Sequence, residues 1–255
     1  MSTSTAERRA AIAEMTALGE TLRVSDLSGR FNVSTMTIRR DLEHLSGRGV
    51  IERTHGGATA LVARPTFESR AQDFAAEKRR IASATARLIE AGESVFVDLG
   101  TTTHYVSRAL TNHTELLVVT NSLSAASTLA GSTTNRVLLL GGFVTGGEHS
   151  TVGGHTVQMM EELHLDTAVL GVGGITIDRG LTYYRVDEVH LRRAVLDSAS
   201  RVILVADHTK FGMQRLSTLA PLTSIDVVVT DRQPVDEYRH ALDKADVELV
   251  VAEPN

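Results

Sequence analysis

The sequence predicts an α/β protein in two parts, a small helical domain and a larger domain built on a parallel sheet. Three helical patterns fill the first part of the 255-residue chain, and beyond residue 90 short runs of Val, Ile and Leu alternate with further helical patterns. Continuous apolar runs of this kind are typical of strands that helices cover on both faces. The length allows two domains, each with a core of its own.

The first domain has the element order of a winged helix-turn-helix. Apolar residues at helical spacing predict three helices, with Ser34 as the N-cap of the third, and a strand, a glycine turn and a return strand follow. The third helix of such a module enters the major groove of DNA. The pattern alone leaves open a helical bundle used in dimerisation or packing. The helices span 6–18, 24–31 and 35–46, and the first strand spans 50–54.

Polar residues on the third helix and the following hairpin are the candidate DNA contacts. Thr and Ser hydroxyls bond phosphates or base edges, and Arg grips guanine in two places. Asp41 would repel phosphate, so we expect it to orient an arginine instead. The predicted DNA-binding residues are Ser34, Thr35, Thr37, Arg39, Arg40, Arg53, His55, Gly56 and Gly57.

Two segments of this domain resemble the DeoR family of transcriptional regulators. The run over 33–42 resembles the family's signature, and the run over 53–58 resembles its wing at the expected distance downstream. In that family the helix reads the operator, so the resemblance implies that Arg39 and Arg40 contact double-stranded DNA. It also implies a transcriptional repressor.

Seven apolar runs predict the strands of the second domain. An irregular segment over 61–76, which contains Pro65, is the predicted linker between a winged helix-turn-helix over 1–60 and an α/β domain over 77–255. A helix is predicted over 77–91. The predicted strands are 95–99, 116–120, 137–140, 168–172, 202–206, 227–230 and 249–251.

Small, polar and charged residues follow several of these strands. Ligands bind beyond the carboxyl ends of strands in an open parallel sheet, so we expect the site there. The Gly100-Thr101-Thr102-Thr103 step would open a helix whose free N–H groups attract an anion, which predicts a phosphate cradle. A capped helix without a ligand is the alternative for this step.

The residues after the strands also resemble the effector domain of the DeoR family. That domain is similar in fold to ribose-5-phosphate isomerase and binds phosphorylated sugars or related metabolites, which the resemblance implies here too. The implied effector-binding residues are Asp98, Gly100, Thr101, Thr102, Thr103, Asn121, Ser122, Gly141, Gly142, Glu188 and Lys210.

One stretch departs from the family pattern. The run over 180–188 has Tyr183, Tyr184 and Arg185 where many members carry a Thr-Pro-Asn turn, and Arg192 stands where Lys is common. The two tyrosines and Arg185 would recognise a different sugar or pack at a subunit contact.

Other classes of function are disfavoured. The chain has no cysteine, which rules out disulfides and thiolate metal sites, and its ten histidines lack metal-binding spacing, so we predict no metal and no cofactor. The first residues lack the apolar core of a signal peptide and no apolar run is long enough to span a membrane, so we expect a cytoplasmic protein. Because operators are read by symmetric assemblies, we expect a homodimer or homotetramer. The alternative function is a sugar-phosphate isomerase that uses Asp98, Glu188 and Lys210 as acid and base groups.

Overall fold

The computed structural model divides the chain into two compact units, Met1–Thr66 and Phe67–Asn255. Among the described residues, no helix is both long and apolar enough to cross a membrane. The structure describes residues 4–17, 22–47, 51–54, 57–60, 67–131, 134–145 and 147–253.

The described residues of the first unit form three helices and an antiparallel sheet of order β1-β3-β2, which confirms the predicted winged helix-turn-helix. Its apolar core includes Ile12, Leu27, Ile38 and Leu42, which are each at most 2% exposed. The elements are α1 (Thr5–Ala17), β1 (Leu22–Arg23), α2 (Val24–Phe31), α3 (Thr35–Gly47), β2 (Ile51–Thr54) and β3 (Gly57–Ala60).

A buried ion pair joins α1 to α3 inside this unit. Asp41 is 2% exposed and accepts hydrogen bonds from Arg8 Nε at 2.6 Å and from Arg9 Nε at 2.7 Å. A charge removed from water is tolerated when it is paired and hydrogen-bonded, and Arg8 is itself buried. Asp41 therefore orients arginines, as expected, and both arginines lie on α1.

The second unit is built on a seven-stranded parallel sheet within the described residues, and all seven predicted strands are confirmed. Its order is β15-β14-β12-β9-β4-β5-β6. These strands are β4 (Ser94–Val97), β5 (Leu117–Thr120), β6 (Arg136–Leu139), β9 (Leu165–Gly171), β12 (Ala199–Val205), β14 (Val227–Thr230) and β15 (Glu248–Val251).

Helices cover both faces of this sheet, as the continuous apolar runs predict. One core cluster packs Phe96 and Leu204 against Val195, and the other packs Val97 and Ile203 against Val106. The helices are α4 (Phe67–Gln72), α5 (Ala75–Ala86), α6 (Thr101–Ala109), α7 (Leu123–Leu129), α8 (Gly154–Glu161), α9 (Asp187–Ser198) and α10 (Asp236–Lys244).

Two small antiparallel sheets lie outside the sequence prediction. Their strands have three or four residues each, which is too short for a clear alternation of apolar and polar positions. One is the hairpin of β7 (Phe143–Thr145) and β8 (Ser150–Val152). The other has the order β10-β11-β13, from β10 (Gly174–Thr176), β11 (Gly180–Tyr183) and β13 (Ser217–Ala220).

The structure differs from the predicted linker over 61–76 and from the predicted helix over 77–91. Residues 61–66 lie outside the described residues, but α4 and the start of α5 fall within the predicted linker and belong to the second unit. The Tyr105 hydroxyl on α6 donates to Ala71 O at 3.1 Å, which helps to hold α4 there. Helix α5 ends at Ala86, where the N–H groups of Leu88 and Ile89 donate to the carbonyl oxygens three residues back and the helical pattern stops.

Asp41→Asn tests the clamp in the first unit. The change keeps the shape of the side chain but leaves Arg8 without its buried counter-charge, so the first unit should lose about 3–5 kcal/mol of stability. Native-state hydrogen exchange of α3 amides in the full chain measures this loss. Asp26→Asn is the control, since Asp26 is exposed. Equal effects of the two changes would contradict the assignment.

Candidate functional site

Helix α3 buries one side and presents the other to solvent. Ile38, Asp41 and Leu42 are at most 2% exposed, whereas Arg39 and Arg40 are exposed. Side chains three and four positions apart share a helix face. The arginines therefore point away from the core on the helix that a winged helix-turn-helix places in the major groove.

The other predicted residues of α3 lie at its N-terminal end. Ser34 and Thr35 are exposed, and Thr37 is half-buried. Ser34 Oγ accepts a hydrogen bond from the Thr37 N–H at 3.1 Å, which confirms Ser34 as the N-cap. These three residues lie beside the exposed arginines at the end of the helix that contacts base edges in such modules.

The predicted wing is described only in part. Arg53 lies in β2 and Gly57 begins β3, while His55 and Gly56 lie outside the described residues. A Cβ atom at Gly57 would lie 1.9 Å from Leu22 O on β1. Gly57 is therefore required for the close approach of two strands, a structural role that the sequence did not indicate.

In the second unit, Asp98 and Arg192 form an ion pair at the carboxyl edge of the sheet. Both residues are at most 4% exposed, and Arg192 Nε donates to Asp98 Oδ2 at 2.8 Å. The N–H groups of Leu99 and Gly171 also donate to this carboxylate, at 2.8 and 3.3 Å. Burial raises the pKa of the Asp98 carboxyl, and the Arg192 guanidinium opposes that rise. The pair ties α9 to the ends of β4 and β9.

Tyr183 belongs to the same buried group. It is 2% exposed, its hydroxyl donates to Gly171 O at 2.6 Å, and the Arg192 guanidinium lies 4.4 Å from its ring centroid. Burial raises the pKa of the Tyr183 phenol. Tyr183 thus packs inside the unit, which fits neither sequence alternative, sugar recognition or subunit contact.

A cavity of about 610 Å³ opens beside this pair. It is enclosed by the β7–β8 hairpin, the segment leading into α8 and the first turns of α9. Of the predicted site residues it brings together Asn121 and Glu188, and Leu99 also lines it. The described lining residues include four carboxylates, Glu148, Glu161, Asp187 and Glu188, and three arginines, Arg185, Arg192 and Arg193.

Asn121 lines this cavity and has a buried side-chain amide. The residue is 1% exposed, and its Nδ2 donates to Thr151 O at 3.2 Å. Its Oδ1 is buried and has no hydrogen-bond partner among the described residues. Turning the amide over would set Oδ1 against the Thr151 carbonyl oxygen, so the bond fixes the orientation. A ligand group that donates, such as a hydroxyl, would satisfy this atom.

The Gly100–Thr103 step is more closed than the sequence predicts. Helix α6 begins at Thr101, as expected, but Thr101 and Thr102 are each 8% exposed and Thr103 is fully buried. The Thr103 hydroxyl donates to Gly100 O at 3.1 Å. The proposed role of the Thr103 hydroxyl in an anion cradle is therefore corrected, because that group completes the first turn of the helix.

Ser122 and Gly142 have structural roles, and the Gly141 N–H donates to Met159 Sδ on α8 at 3.2 Å. Ser122 is 3% exposed and caps α7 by accepting from the Ala125 N–H at 3.2 Å. Gly141 and Gly142 line a second cavity of about 600 Å³. A Cβ atom at Gly142 would lie 2.3 Å from Thr156 Oγ1 on α8, so glycine allows the chain to pass α8 after β6.

Lys210 lies at the carboxyl edge near a second lysine that the sequence did not reveal. Lys210 Nζ is 3.6 Å from Asp207 Oδ2. Lys78 on α5 is 4% exposed, and its Nζ donates to Asp73 O at 2.7 Å. Burial lowers the pKa of Lys78, and the nearby Asp207 carboxylate opposes this. Lys78 does not belong to any motif in the sequence, and it can be identified as a candidate site residue only from its burial in the folded unit.

Sequence reasoning also missed residues that shape the cavity. Arg185 bonds Asp187 through two nitrogens, at 2.9 and 2.5 Å, at the start of α9. Glu148 lies on the hairpin that was not predicted. The departure of 183–185 from the family pattern was the only sequence signal near these residues.

The chain matches two family models. The model of the DeoR-like helix-turn-helix domain matches residues 8–63, and that of the DeoR C-terminal sensor domain matches residues 73–232. Together they span both units.

Two relatives are similar over most of their lengths. The putative aga operon transcriptional repressor of Escherichia coli O157:H7 is 32% identical over 254 residues, which cover 98% of this chain and 94% of the relative. The glycerol-3-phosphate regulon repressor of Escherichia coli strain K12 is 36% identical over 212 residues, which cover 82% and 84%.

Among solved structures, a ribose 5-phosphate isomerase from Methanocaldococcus jannaschii matches 54% of this chain and 55% of its own, with 14% identity and a TM-score of 0.40. Similarity at that level supports no conclusion about function. The parallel α/β fold rests on the strand order of the second unit.

Arg192→Met tests the buried pair. The change leaves the Asp98 carboxylate buried without its partner, so we expect a loss of about 3–5 kcal/mol in the free energy of unfolding of the second unit. Urea titration of the full chain measures it. Arg193→Met is the matched control, because Arg193 is exposed, and its effect should stay within about 0.5 kcal/mol. Similar losses in both variants would refute the structural role of the pair.

Proposed function

Because this chain belongs to the DeoR family of transcriptional regulators, we propose that it is a sequence-specific DNA-binding repressor whose affinity for its operator is controlled by a phosphorylated sugar or a related metabolite. The regulated genes would serve carbohydrate metabolism. The observation that carries the proposal is that the same chain has exposed arginines on α3 in its first unit and a cavity at the carboxyl edge of the sheet in its second unit.

The DNA contact rests on α3. Arg39 and Arg40 are exposed, and the Asp41–Arg8 pair holds the helix against α1 from the opposite side. Arginine is suited to the O6 and N7 atoms of guanine, and Ser and Thr to phosphates. Thr35 and Thr37 add hydroxyls at the same end. Arg53 would contact the DNA backbone from β2, and His55 and Gly56 stay predictions.

The effector would lie in the cavity beside the Asp98–Arg192 pair. A volume of about 610 Å³ suits a small ligand, and Asn121 Oδ1 needs a donor such as a sugar hydroxyl. Because Arg192 is committed to Asp98, other groups must hold the phosphate. The N–H groups at the start of α6 and Lys210 also lie at the carboxyl edge of the sheet but do not line this cavity, so their role in holding a phosphate stays a prediction. Glu188 would accept further hydroxyls.

The relatives support the regulatory part of the proposal. One represses a glycerol-3-phosphate regulon and another is a putative repressor of the aga operon. These names favour a regulator over the isomerase-like enzyme. Since operators are read by symmetric assemblies, the proposal includes a homodimer or homotetramer.

Arg39→Ala tests the DNA contact. A duplex selected from random sequence by the full chain is first identified, and its dissociation constant is measured at one stated salt concentration. The variant should bind it more weakly by about 1–3 kcal/mol, the value of one lost base contact. Arg179→Ala is the control, an exposed arginine in the second unit. The proposed DNA contact fails if both variants bind the selected duplex as the wild type does.

Asn121→Ala tests the effector contact. Titration calorimetry with glycerol 3-phosphate, ribose 5-phosphate and fructose 6-phosphate should find a compound that binds the wild type, and the variant should bind it about tenfold more weakly because one buried hydrogen bond is lost. Its affinity for the selected duplex without the compound should not change. Unaltered binding of the compound by the variant would remove Asn121 from the site.

A further inference from the structure

Helix α4 is the first element of the second unit, and polar contacts hold it. None of its six described residues is buried, so burial of apolar surface contributes little to its position. Instead Arg70 pairs with Glu148 at 2.5 Å, and the Ala71 carbonyl accepts from Tyr105 at 3.1 Å. Lys78 Nζ also donates to the carbonyl oxygens of Arg70 and Asp73. An element fixed in this way responds to changes in its partners.

The partner of Arg70 lies on the wall of the cavity. Glu148 is between β7 and β8, and its carboxylate is one of four among the described lining residues. An unpaired carboxylate there would repel an anionic ligand, and it would do so strongly because the site is partly shielded from water. Both partners are half-buried, with exposed side-chain fractions of 15% for Arg70 and 20% for Glu148.

We propose that Arg70 is a positioning residue of the cavity: its guanidinium holds and neutralises Glu148, so that the wall accepts an anion. The same ion pair fixes α4, which directly follows the DNA-binding unit in the chain, to that wall. The inference rests on the proposed function, because it assumes an anionic effector in the cavity. A ligand that alters the position of Glu148 thereby alters the hold on α4.

Charge repair is the test that separates this role from a merely structural one. Calorimetry on the full chain uses the phosphorylated compound that binds the wild type best and its dephosphorylated counterpart, for example glycerol 3-phosphate and glycerol. Arg70→Met should weaken binding of the phosphorylated compound about tenfold or more, because Glu148 then repels it. Glu148→Gln added to Arg70→Met should restore most of that affinity, and Arg70→Lys should retain it.

Control variants show whether a loss of affinity in Arg70→Met is specific to the anionic compound. Arg87→Met removes an exposed arginine whose side chain donates to Ser83, and it should leave binding unchanged. If Arg70→Met weakens the phosphorylated and the dephosphorylated compound equally, or if Glu148→Gln restores nothing, Arg70 only supports the fold and the proposal is overturned.

Hydrogen exchange without any ligand tests the hold on Glu148. In Arg70→Met, peptides covering 67–73 and 147–152 should exchange several-fold faster than in the wild type and in Arg70→Lys. Unchanged exchange would overturn the positioning role. If no phosphorylated compound binds the wild type, the proposed effector class and the anion-accepting role both fail, while the exchange result still decides whether Arg70 holds the wall.

Discussion

The ion pair of Asp98 and Arg192 is the interaction on which the second unit most depends. It joins the end of β4 to α9, it receives an N–H from the end of β9, and Tyr183 covers it. A buried pair of this kind adds little net stability compared with apolar packing, but breaking it is costly. It therefore fixes α9 in one position over the sheet and so sets the side of the cavity that α9 forms.

The Asp98–Arg192 pair also determines which side chains are available to contact a ligand. Arg192 looks like the natural counter-ion for a phosphate, but its Nε is used by Asp98 and its Nη1 donates to the Glu188 carbonyl oxygen. The polarity of the cavity is then set by Asn121 and by four carboxylates, of which Glu148 pairs with Arg70 and Asp187 pairs with Arg185. In the first unit too, a buried carboxylate determines which arginines stay available to a ligand. Asp41 binds arginines of α1, and Arg39 and Arg40 remain exposed on α3.

The fold could be predicted because its determinants are local. The seven parallel strands are continuous apolar runs, and the three helices of the first unit have caps or apolar spacing within a few residues. Two predicted residues line the cavity: Asn121, which directly follows a strand, and Glu188, which the family resemblance implied. Thr103, Ser122 and Gly142 also follow strands, but their contacts lie within the protein, and the sequence carries no mark of which way a short side chain turns. The contacts of Glu148, Lys78 and Arg192 were not predicted. The Arg70–Glu148 and Arg192–Asp98 pairs join residues that are far apart in the chain, so these contacts can be identified only in the folded structure.

In the proposed function, one chain couples the binding of an anionic metabolite to the binding of a DNA operator. The most direct measurement is the dissociation constant of the selected duplex at a fixed salt concentration, with and without a saturating phosphorylated compound, together with that of the compound, with and without the duplex. Thermodynamic linkage requires the ratio of the two duplex constants to equal the ratio of the two compound constants, and we expect both ratios to differ from one by about tenfold or more. Ratios of one for a compound that occupies the cavity would contradict it.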